Sequence, residues 1–460
     1  MIKYDKDLKE TGNKTFEADE KGYTIHDVKQ LGDRIIMFIS KENKKDKNTT
    51  YYATIVNGLT LTVENNAELY EVEKGSKTGI NIYQSFNDYW NPRNNGIAVS
   101  QDSSKFMICA SMHKDNSKEN DSYEFYVFDN KGNKLWNKNV VTQIPHCNNK
   151  MLQYFVTNDG KAGVIFRNYE KYYEEYDNVK YKESKGPIHQ VKMVVLKGSE
   201  EEPKEYVINN NNLYQHAIEY AYEDLNDVYF LSREGVGVQA NSTSYSLYTL
   251  SKTTRQLSIK KHESFSDEFL AQMKEEECGE KKGSDKGISR NFHYVKSVIR
   301  DNGSIDFLIQ RYVGHVYSDI VDINLNTTGK TFIQRVPLTQ LIGEYYNANQ
   351  FGFVISKSGN NLNFIYTDLE SNINRDINKC PKTVYLQAVH PFCISMATID
   401  ATGGLNRKML YSNKSLPHSM STAIEYCKPF GNNKILLLAQ EFKGFYGPIS
   451  IYDMIGQLEY

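Results

Sequence analysis

One unit repeats along this chain and limits what it can fold into: a turn rich in Asp, Asn and Gly, an apolar strand, then a strand pair closed by an aromatic hairpin. Its clearest copy runs from Ile97 to Lys138. There IAVSQDSSKFMICAS turns at Gln101–Lys105 into the apolar run Phe106–Ser111, and Tyr123–Phe128 pairs with Lys134–Trp136 across Asp129–Asn133. Apolar strands starting near Asp33, Ser104, Gly160, Asp227, Gly303, Asn361 and Asn433 give about seven copies, at spacings of about 56 to 76 residues. A single meander of this kind leaves its sheet faces unburied and its edges unpaired, and radial stacking of successive sheets covers them. The expected fold is therefore all-β, a single β-propeller of about seven four-stranded antiparallel blades with one short helical insertion.

The units place the propeller over residues 27–460, with blades at about 27–75, 96–140, 150–210, 222–263, 294–338, 348–413 and 423–460. In the first, Asn57-Gly58 is a hairpin signal between Tyr51–Val56 and Leu59–Val63. Two segments stand outside the pattern. Residues 1–26 are expected to cap the ring or to lend an outer strand to the last unit, which is short on its outer side. Residues 264–291 are an insertion, in which Phe265, Phe269 and Met273 recur every fourth position behind Ser266 or Asp267. That spacing predicts a short amphipathic helix over Ser266–Glu277, followed by a charged, Gly-broken loop.

Charge and hydropathy exclude several classes of partner. Lys and Arg number 55 against 57 Asp and Glu, a net charge of -2, so no overall field steers the chain toward nucleic acid or an anionic membrane. No stretch approaches the ~18 continuous apolar residues of a membrane span. The start, MIKYDKDLKETGNKTF, is polar throughout and is not a signal peptide. A cytoplasmic chain and a mature exported chain whose leader was replaced by Met1 both fit it.

Candidate chemistry is sparse. The turns Ser100-Gln101-Asp102-Ser103, Thr157-Asn158-Asp159-Gly160 and Asp301-Asn302-Gly303 are similar to the Asp-box of sialidase propellers, but the later Thr-Trp of that box is absent, and Asp and Asn here read as turn formers that bond to their own backbone. Asp368, Glu370 and Asn372 in YTDLESNIN offer oxygen ligands for a structural calcium ion. They lack the glycine and the acidic count of a calcium loop, so a solvated turn is the expectation. The six cysteines show no CxxC; Cys109 reads as a small core residue, and Cys380 and Cys393 stand where a hairpin can bring them together. Neither His293 nor His390 has a ligand partner at helical or hairpin spacing. Nucleotide-binding and hydrolase-elbow motifs are absent.

Tyrosine is the one aromatic residue in marked excess, with 34 Tyr and 21 Phe but only 2 Trp, and it suits strands with a wet face. In each adjacent pair, Tyr51-Tyr52, Tyr172-Tyr173 and Tyr345-Tyr346, one member faces away from the other. Tyr172, Tyr173, Tyr345 and Tyr346 are the candidate binding residues for a glycan or protein surface; ordinary strand tyrosines are the alternative.

The runs SQDSSKFMICAS, YEFYVFDNKGNKLWNK, FHYVKSVIRDNGSIDFLIQRY, DIVDINLNTTGKTFIQRVPLTQ and NLNFIYTDLESNIN resemble a family of propeller-like proteins exported by Gram-negative bacteria of the gut-commensal and gliding type. The resemblance covers most of the chain from Leu31 to about Tyr452, with Gln310 where an acidic residue is common and Leu338 where a Lys is usual. Its shared motifs are structural, so no functional residue carries over. It implies an exported protein, periplasmic or at the cell surface.

These readings together lead to an expectation of a non-enzymatic binding or scaffold module in a bacterial envelope or secreted assembly, with a protein partner, a glycan as a further ligand and no cofactor. The alternative is a carbohydrate-active enzyme, hydrolase or lyase, with its site in the central channel, marked by two close carboxylates beside aromatic residues. Sequence-specific features lie in what the units do not share: Tyr169–Lys185, Ser266–Lys286 and Asp368–His390.

Overall fold

A computed structural model describes residues 2–4, 9–15, 23–43, 45, 47–73, 97–111, 118–145, 148–169, 189–208, 213–236, 241–274, 287–289, 292–313, 316–325, 331–341, 352–376, 379, 381–385, 392–412, 420–422, 427–430, 434–441 and 454–459. They form two compact units, one of residues 10–263 with 1–3, the other of residues 264–460 with 4–9. At the N-terminus β1 (Ile2–Tyr4) pairs with β2 (Glu10–Asn13) in a two-stranded sheet of their own.

Four meander sheets make up the first unit. They are β3 (Tyr23–Leu31), β4 (Arg34–Asn43), β5 (Asn48–Asn57) and β6 (Val63–Glu73); β7 (Ile97–Val99), β8 (Lys105–Ser111), β9 (Asn120–Asp129) and β10 (Lys134–Pro145); β11 (Asn149–Val156), β12 (Ala162–Tyr169), β13 (His189–Leu196) and β14 (Lys204–Ile208); and β15 (Tyr214–Glu223), β16 (Asp227–Gly235), β17 (Ser244–Ser251) and β18 (Leu257–Ser264). The second unit opens with a helix, α1 (Asp267–Lys274), and continues with β19 (Phe292–Ile299), β20 (Ile305–Val313), β21 (Val316–Leu325) and β22 (Phe332–Leu341). A sheet of β23 (Phe353–Ser358), β24 (Asn361–Leu369), β26 (Phe392–Ile399) and β27 (Leu405–Ser412) follows, interrupted after β24 by a single-turn helix α2 (Glu370–Ile373) and by β25 (Val384–Tyr385). In the last sheet β28 (Met420–Thr422) and β29 (Lys428–Phe430) both pair with β30 (Lys434–Glu441), and β31 (Met454–Glu459) takes its other edge.

This is a propeller-like, all-β fold built from seven successive blade-sized sheets. The first six are antiparallel meanders in chain order, as the repeating turn–strand–hairpin grammar predicts, with the parallel β25 added at the edge of one; in the last, β28 and β29 share β30 as partner. The opening hairpin forms the predicted strand pair, with Lys134 opposite Phe128 and, after a one-residue register shift, Trp136 opposite Val127.

Packing explains why the strands read as almost continuous apolar runs rather than as clean alternation. On β8, Phe106, Ile108 and Ala110 pack with Ile36, Phe38 and Ile55 of the first sheet, while Met107 and Cys109 pack with Val164 and Phe166 of the third. Both faces of a middle sheet are covered, so both sets of alternate side chains must be apolar. Gly163 on β12 belongs to the same packing: a Cβ there would stand 2.8 Å from the Val194 carbonyl oxygen and inside the Phe155 ring.

The Asp and Asn turns act locally, then reach across. Asp102 Oδ1 accepts from the Ser104 N–H at 2.9 Å and from the Ser100 hydroxyl at 2.8 Å, and Asn302 Oδ1 accepts from the Ser304 N–H at 3.0 Å. Their own N–H groups donate to the turn of the following sheet, Asp102 to Asn158 Oδ1 at 2.9 Å and Asn302 to Asn360 Oδ1 at 2.8 Å. These are equivalent latches in the two units. Trp136, on the last strand of its sheet, adds a third link by donating from Nε1 to the Gly160 carbonyl at 3.1 Å.

Several local expectations change. The first hairpin turns over Asn57–Thr62, not at Asn57-Gly58 alone: the Asn57 N–H donates to the Thr62 carbonyl at 2.9 Å, Leu61 takes a left-handed φ of 57°, and the next strand starts at Val63. Asn57 Oδ1 holds the longer turn by accepting from the Leu59 and Thr60 N–H groups. The fourth sheet begins at Tyr214, ahead of its expected start, because Tyr214–Glu223 mixes buried and half-buried residues without a strong apolar run. The helix is found at Asp267–Lys274 with Phe269, Leu270 and Met273 buried, and the Phe269 N–H donates to Ser266 Oγ at 3.2 Å.

Candidate functional site

Between the sheet of β19–β22 and that of β23, β24, β26 and β27 lies a layer whose middle is apolar: Leu308, Ile320 and Val336 on one side, Leu362, Phe364 and Ala397 on the other. Its two ends are polar, buried and charged. Such concentrations of buried ionisable groups with displaced pKa values are where function is most often found.

At the turn end, Arg300 is fully buried and holds two carboxylates at once. Its Nε donates to Asp306 Oδ2 at 2.7 Å, and its Nη2 donates to Asp306 Oδ1 at 3.0 Å and to Asp322 Oδ2 at 3.3 Å. Nη1 crosses to the neighbouring sheet, donating to the carbonyls of Asn360 (2.7 Å), Ile399 (3.1 Å) and Asp400 (2.6 Å). Asn324 Nδ2 completes the cluster by donating to Asp306 Oδ1 at 2.6 Å. Burial first, then the negative charge of Asp306, pushes the Asp322 carboxyl well above the ordinary carboxylate range, against the pull of Arg300. A close carboxylate pair is what a glycosidase site requires. Here Asp306, Asp322 and Arg300 are all at 1% exposure or less, and the pair holds the guanidinium that crosses to the neighbouring sheet, so Arg300 clamps the two sheets together.

At the loop end, Arg335 Nη2 donates to Asp319 Oδ1 at 2.9 Å, with both side chains buried, and the Leu338 N–H donates to the same oxygen at 3.2 Å. Burial raises the Asp319 carboxyl, while burial and the charge of Arg407 pull the Arg335 guanidinium down to about 9. On the facing sheet, Asp368 is buried, and burial lifts its carboxyl to about 6 against the hydrogen bonds from Asn372 and the Leu369 N–H. Tyr366, fully buried, shares a face with Asp368; across the strands stand Ser395, Cys393 and Arg407, paired respectively with Tyr366, Asp368 and Ala397.

The first unit holds a constellation that resembles a hydrolase triad but lacks its geometry. Ser246 Oγ lies 2.9 Å from both Glu234 Oε2 and His262 Nδ1, and that same Nδ1 lies 3.4 Å from Glu234. A triad needs the acid on one ring nitrogen and the nucleophile on the other. Ser246 is moreover fully buried. The trio ties β16, β17 and β18 together.

Of the candidates read from sequence, Tyr172, Tyr173, Tyr345 and Tyr346 lie outside the described residues, as do Cys380 and His390. The segment with Asp368, Glu370 and Asn372 departs from the expected solvated turn: Asp368 is the penultimate residue of β24, and Asn372 sits in α2 at 0% exposure. The Asn372 amide donates to Asp368 Oδ1 at 2.7 Å and to the Lys382 carbonyl at 2.8 Å, and accepts from the Lys382 N–H at 2.8 Å. These three bonds turn its NH2 group, not its oxygen, toward Asp368, so the two residues hold each other and pin the following arm rather than converge on a cation. Glu370 Oε1 accepts instead from the Ser412 hydroxyl at 2.5 Å. Cys393 is a free, buried thiol whose Sγ lies 3.6 Å from the Asp368 carbonyl, and burial pushes it up to about 11. Among the described residues no group of three or more His, Cys, Asp or Glu is arranged to hold a metal ion.

Sequence reading missed Arg300, Asp306, Asp322, Arg335 and Arg407. A signal was present for two of them: Asp306 shares a period-2 face with Leu308, and Asp322 with Ile320, so each charge falls on an apolar face rather than a wet one.

The chain is thus an all-β, propeller-like protein with buried charge between successive sheets, and among its described residues no helix is long and apolar enough to cross a membrane. No family model and no curated protein matches it. Among solved structures it is similar to prolyl oligopeptidase B from Galerina marginata, at 10% identity and a TM-score of 0.38 over 92% of this chain and 48% of that one. The chain therefore spans about half the length of that peptidase. Polysaccharide lyase Uly1 is similar at 10% identity and a TM-score of 0.35, over 97% of this chain and 94% of that one. An apocarotenoid oxygenase mutant from Synechocystis is similar at 8% identity and a TM-score of 0.32, over 66% of this chain and 58% of that one.

Proposed function

We propose that the chain is a non-enzymatic binding module that takes an extended segment of a partner protein onto the outer edges of its sheets, within an envelope or secreted assembly. The observation that carries this reading is β25, which pairs in parallel with β22, Val384 opposite Gln340 and Tyr385 opposite Leu341, and so adds a fifth strand to the edge of a four-stranded sheet. One edge already accepts a short extended segment from elsewhere in the chain. The last strands of other sheets offer comparable edges with exposed apolar side chains: Val63 on β6, Leu135 and Val141 on β10, Val207 on β14, Ile259 on β18 and Met409 on β27. An edge with free backbone groups and apolar side chains is the usual substrate for strand addition. The envelope or secreted setting is supported by the family resemblance of the repeats.

A photoreactive residue placed at Leu135, Val207 or Ile259 of a tagged chain, activated in intact cells, tests the proposal. A discrete protein adduct is expected from these edge positions and not from Leu225, which is 94% exposed but lies in a turn. Recovery of unmodified monomer from every edge position overturns it.

A further inference from the structure

We infer that the chain associates with a second copy of itself through the outer edge of β10, which pairs antiparallel with its own counterpart across a two-fold axis. The inference rests on the strand-edge reading above and names one partner for it. β10 is 12 residues long and is the terminal strand of its sheet, where it pairs with β9 alone. From Trp136 to Val141 the register is regular, without a bulge. Its exposed side chains after Lys134 are Leu135, Asn137, Asn139, Val141 and Gln143, with Leu135 at 47% and Val141 at 59% exposure. None of these five carries a charge.

Edge strands ordinarily discourage pairing with another chain by charge, proline, bulges or shortness. The last strands β6, β14, β18 and β27 do so. β6 exposes Glu64, Glu68 and Glu71, which set acid against acid when that strand meets its own copy. β14 has only 5 residues and exposes Lys204 and Glu205, while β18 exposes Lys260 and β27 exposes Lys408. Between Leu135 and Ile144 the one charge on β10 is Lys138, and it is turned away from the edge. Its side chain is 16% exposed, and its Nζ donates to the Glu201 carbonyl at 2.6 Å.

The strand is complementary to itself. An axis at Asn139 sets that residue opposite its own copy, Asn137 opposite Val141 and Lys138 opposite Val140, so no like charges meet. Two four-stranded sheets then join into one, with the backbone groups of the two outer edges bonded to each other. The edge is also fixed before a partner arrives, because Trp136 Nε1 donates to the Gly160 carbonyl at 3.1 Å and Lys138 is tied to Glu201. Little ordering is left to oppose association. A two-fold contact of this kind uses the same patch on both copies, so assembly closes at two.

Sedimentation equilibrium of the full chain over about a hundredfold range of concentration tests this, with a shift from monomer to dimer expected. Asn139→Lys and Asn139→Asp each set like charges against one another at the axis and are expected to weaken the dimer about threefold or more. An equal mixture of the two variants sets Lys against Asp and is expected to restore it, which also shows that both variants fold. Val63→Lys, on the edge of β6, is expected to leave it unchanged. A wild type that stays monomeric overturns the inference, and so does an Asn139→Lys dimer as tight as wild type. A photoreactive residue at Leu135 separates this inference from the reading it rests on. An adduct of two copies supports both. An adduct of a monomeric chain with a different protein overturns self-pairing and leaves the strand-edge reading standing, whereas no adduct from Leu135, Val207 or Ile259 overturns both.

Discussion

Asp368 illustrates how the environment sets a residue's behaviour when its identity does not. In sequence it is one acid in a polar stretch; in the fold it lies one residue before the end of β24, accepts from the Leu369 N–H at 2.8 Å and from Asn372 at 2.7 Å, and is buried. Burial outweighs those two hydrogen bonds and lifts the carboxyl from 3.8 to about 6. A carboxyl raised on folding binds more protons in the native state than in the unfolded one. Its contribution is therefore most favourable below about pH 4 and declines as pH rises to about 6. Asp368→Asn keeps an accepting oxygen and removes the titration. Urea unfolding at pH 4, 5 and 6.5 is expected to show the variant gaining on wild type across this window by up to about 3 kcal/mol. Carboxyls in the turns move the other way: Asp102 and Asp159 are held low by hydrogen bonds and nearby lysines that outweigh their own burial.

At the scale of elements, the sheets are joined by two kinds of link that sequence reveals unequally. The apolar layers follow from strand composition, because a run such as Phe106–Ala110 leaves no polar face to expose. Links such as Arg300 do not, because an arginine before a turn reads as solvated until its partners are known. Arg300 reaches three carbonyls of the neighbouring sheet while neutralising a carboxylate pair on its own. Arg300→Met leaves Asp306 and Asp322 buried without their cation and is expected to cost about 3–5 kcal/mol, measured by urea unfolding. Lysines do comparable work in the first unit: Lys105 donates from Nζ to the Asn158 carbonyl, and Lys161 donates to the Lys252 carbonyl at 3.3 Å. Arg300 stands before its turn and Lys105 and Lys161 after theirs, yet each reaches a carbonyl in a turn of the neighbouring sheet.

For the molecule as a whole, a net charge of -2 bears on how the proposed edge partner would be met. With edges carrying Leu135, Val207 and Ile259 exposed and no dominant field, the proposed association would rest on backbone pairing and apolar contact rather than on steering. On the proposed reading, an edge partner is expected to bind with an affinity that changes less than about threefold between 50 and 500 mM NaCl, as titration of the purified complex measures; a steep fall would point to a charged surface instead. The fold class was legible from sequence because it rests on local signals: Asp- and Gly-rich turns, short apolar strands and hairpins recur often enough to count. Blade edges were less so, since β15 lacks a strong apolar run and the Asn57 turn is set by hydrogen bonds from the Asn57 side chain. The candidate site was scarcely legible at all. By itself the sequence determined that meander sheets form and that their faces must be covered. Only the tertiary structure decided that Arg300 meets Asp306 and Asp322, and that Tyr366 and Asp368 are buried opposite Ser395 and Cys393. Those meetings join positions distant in the chain through strand register and sheet stacking, which no local pattern of residues records.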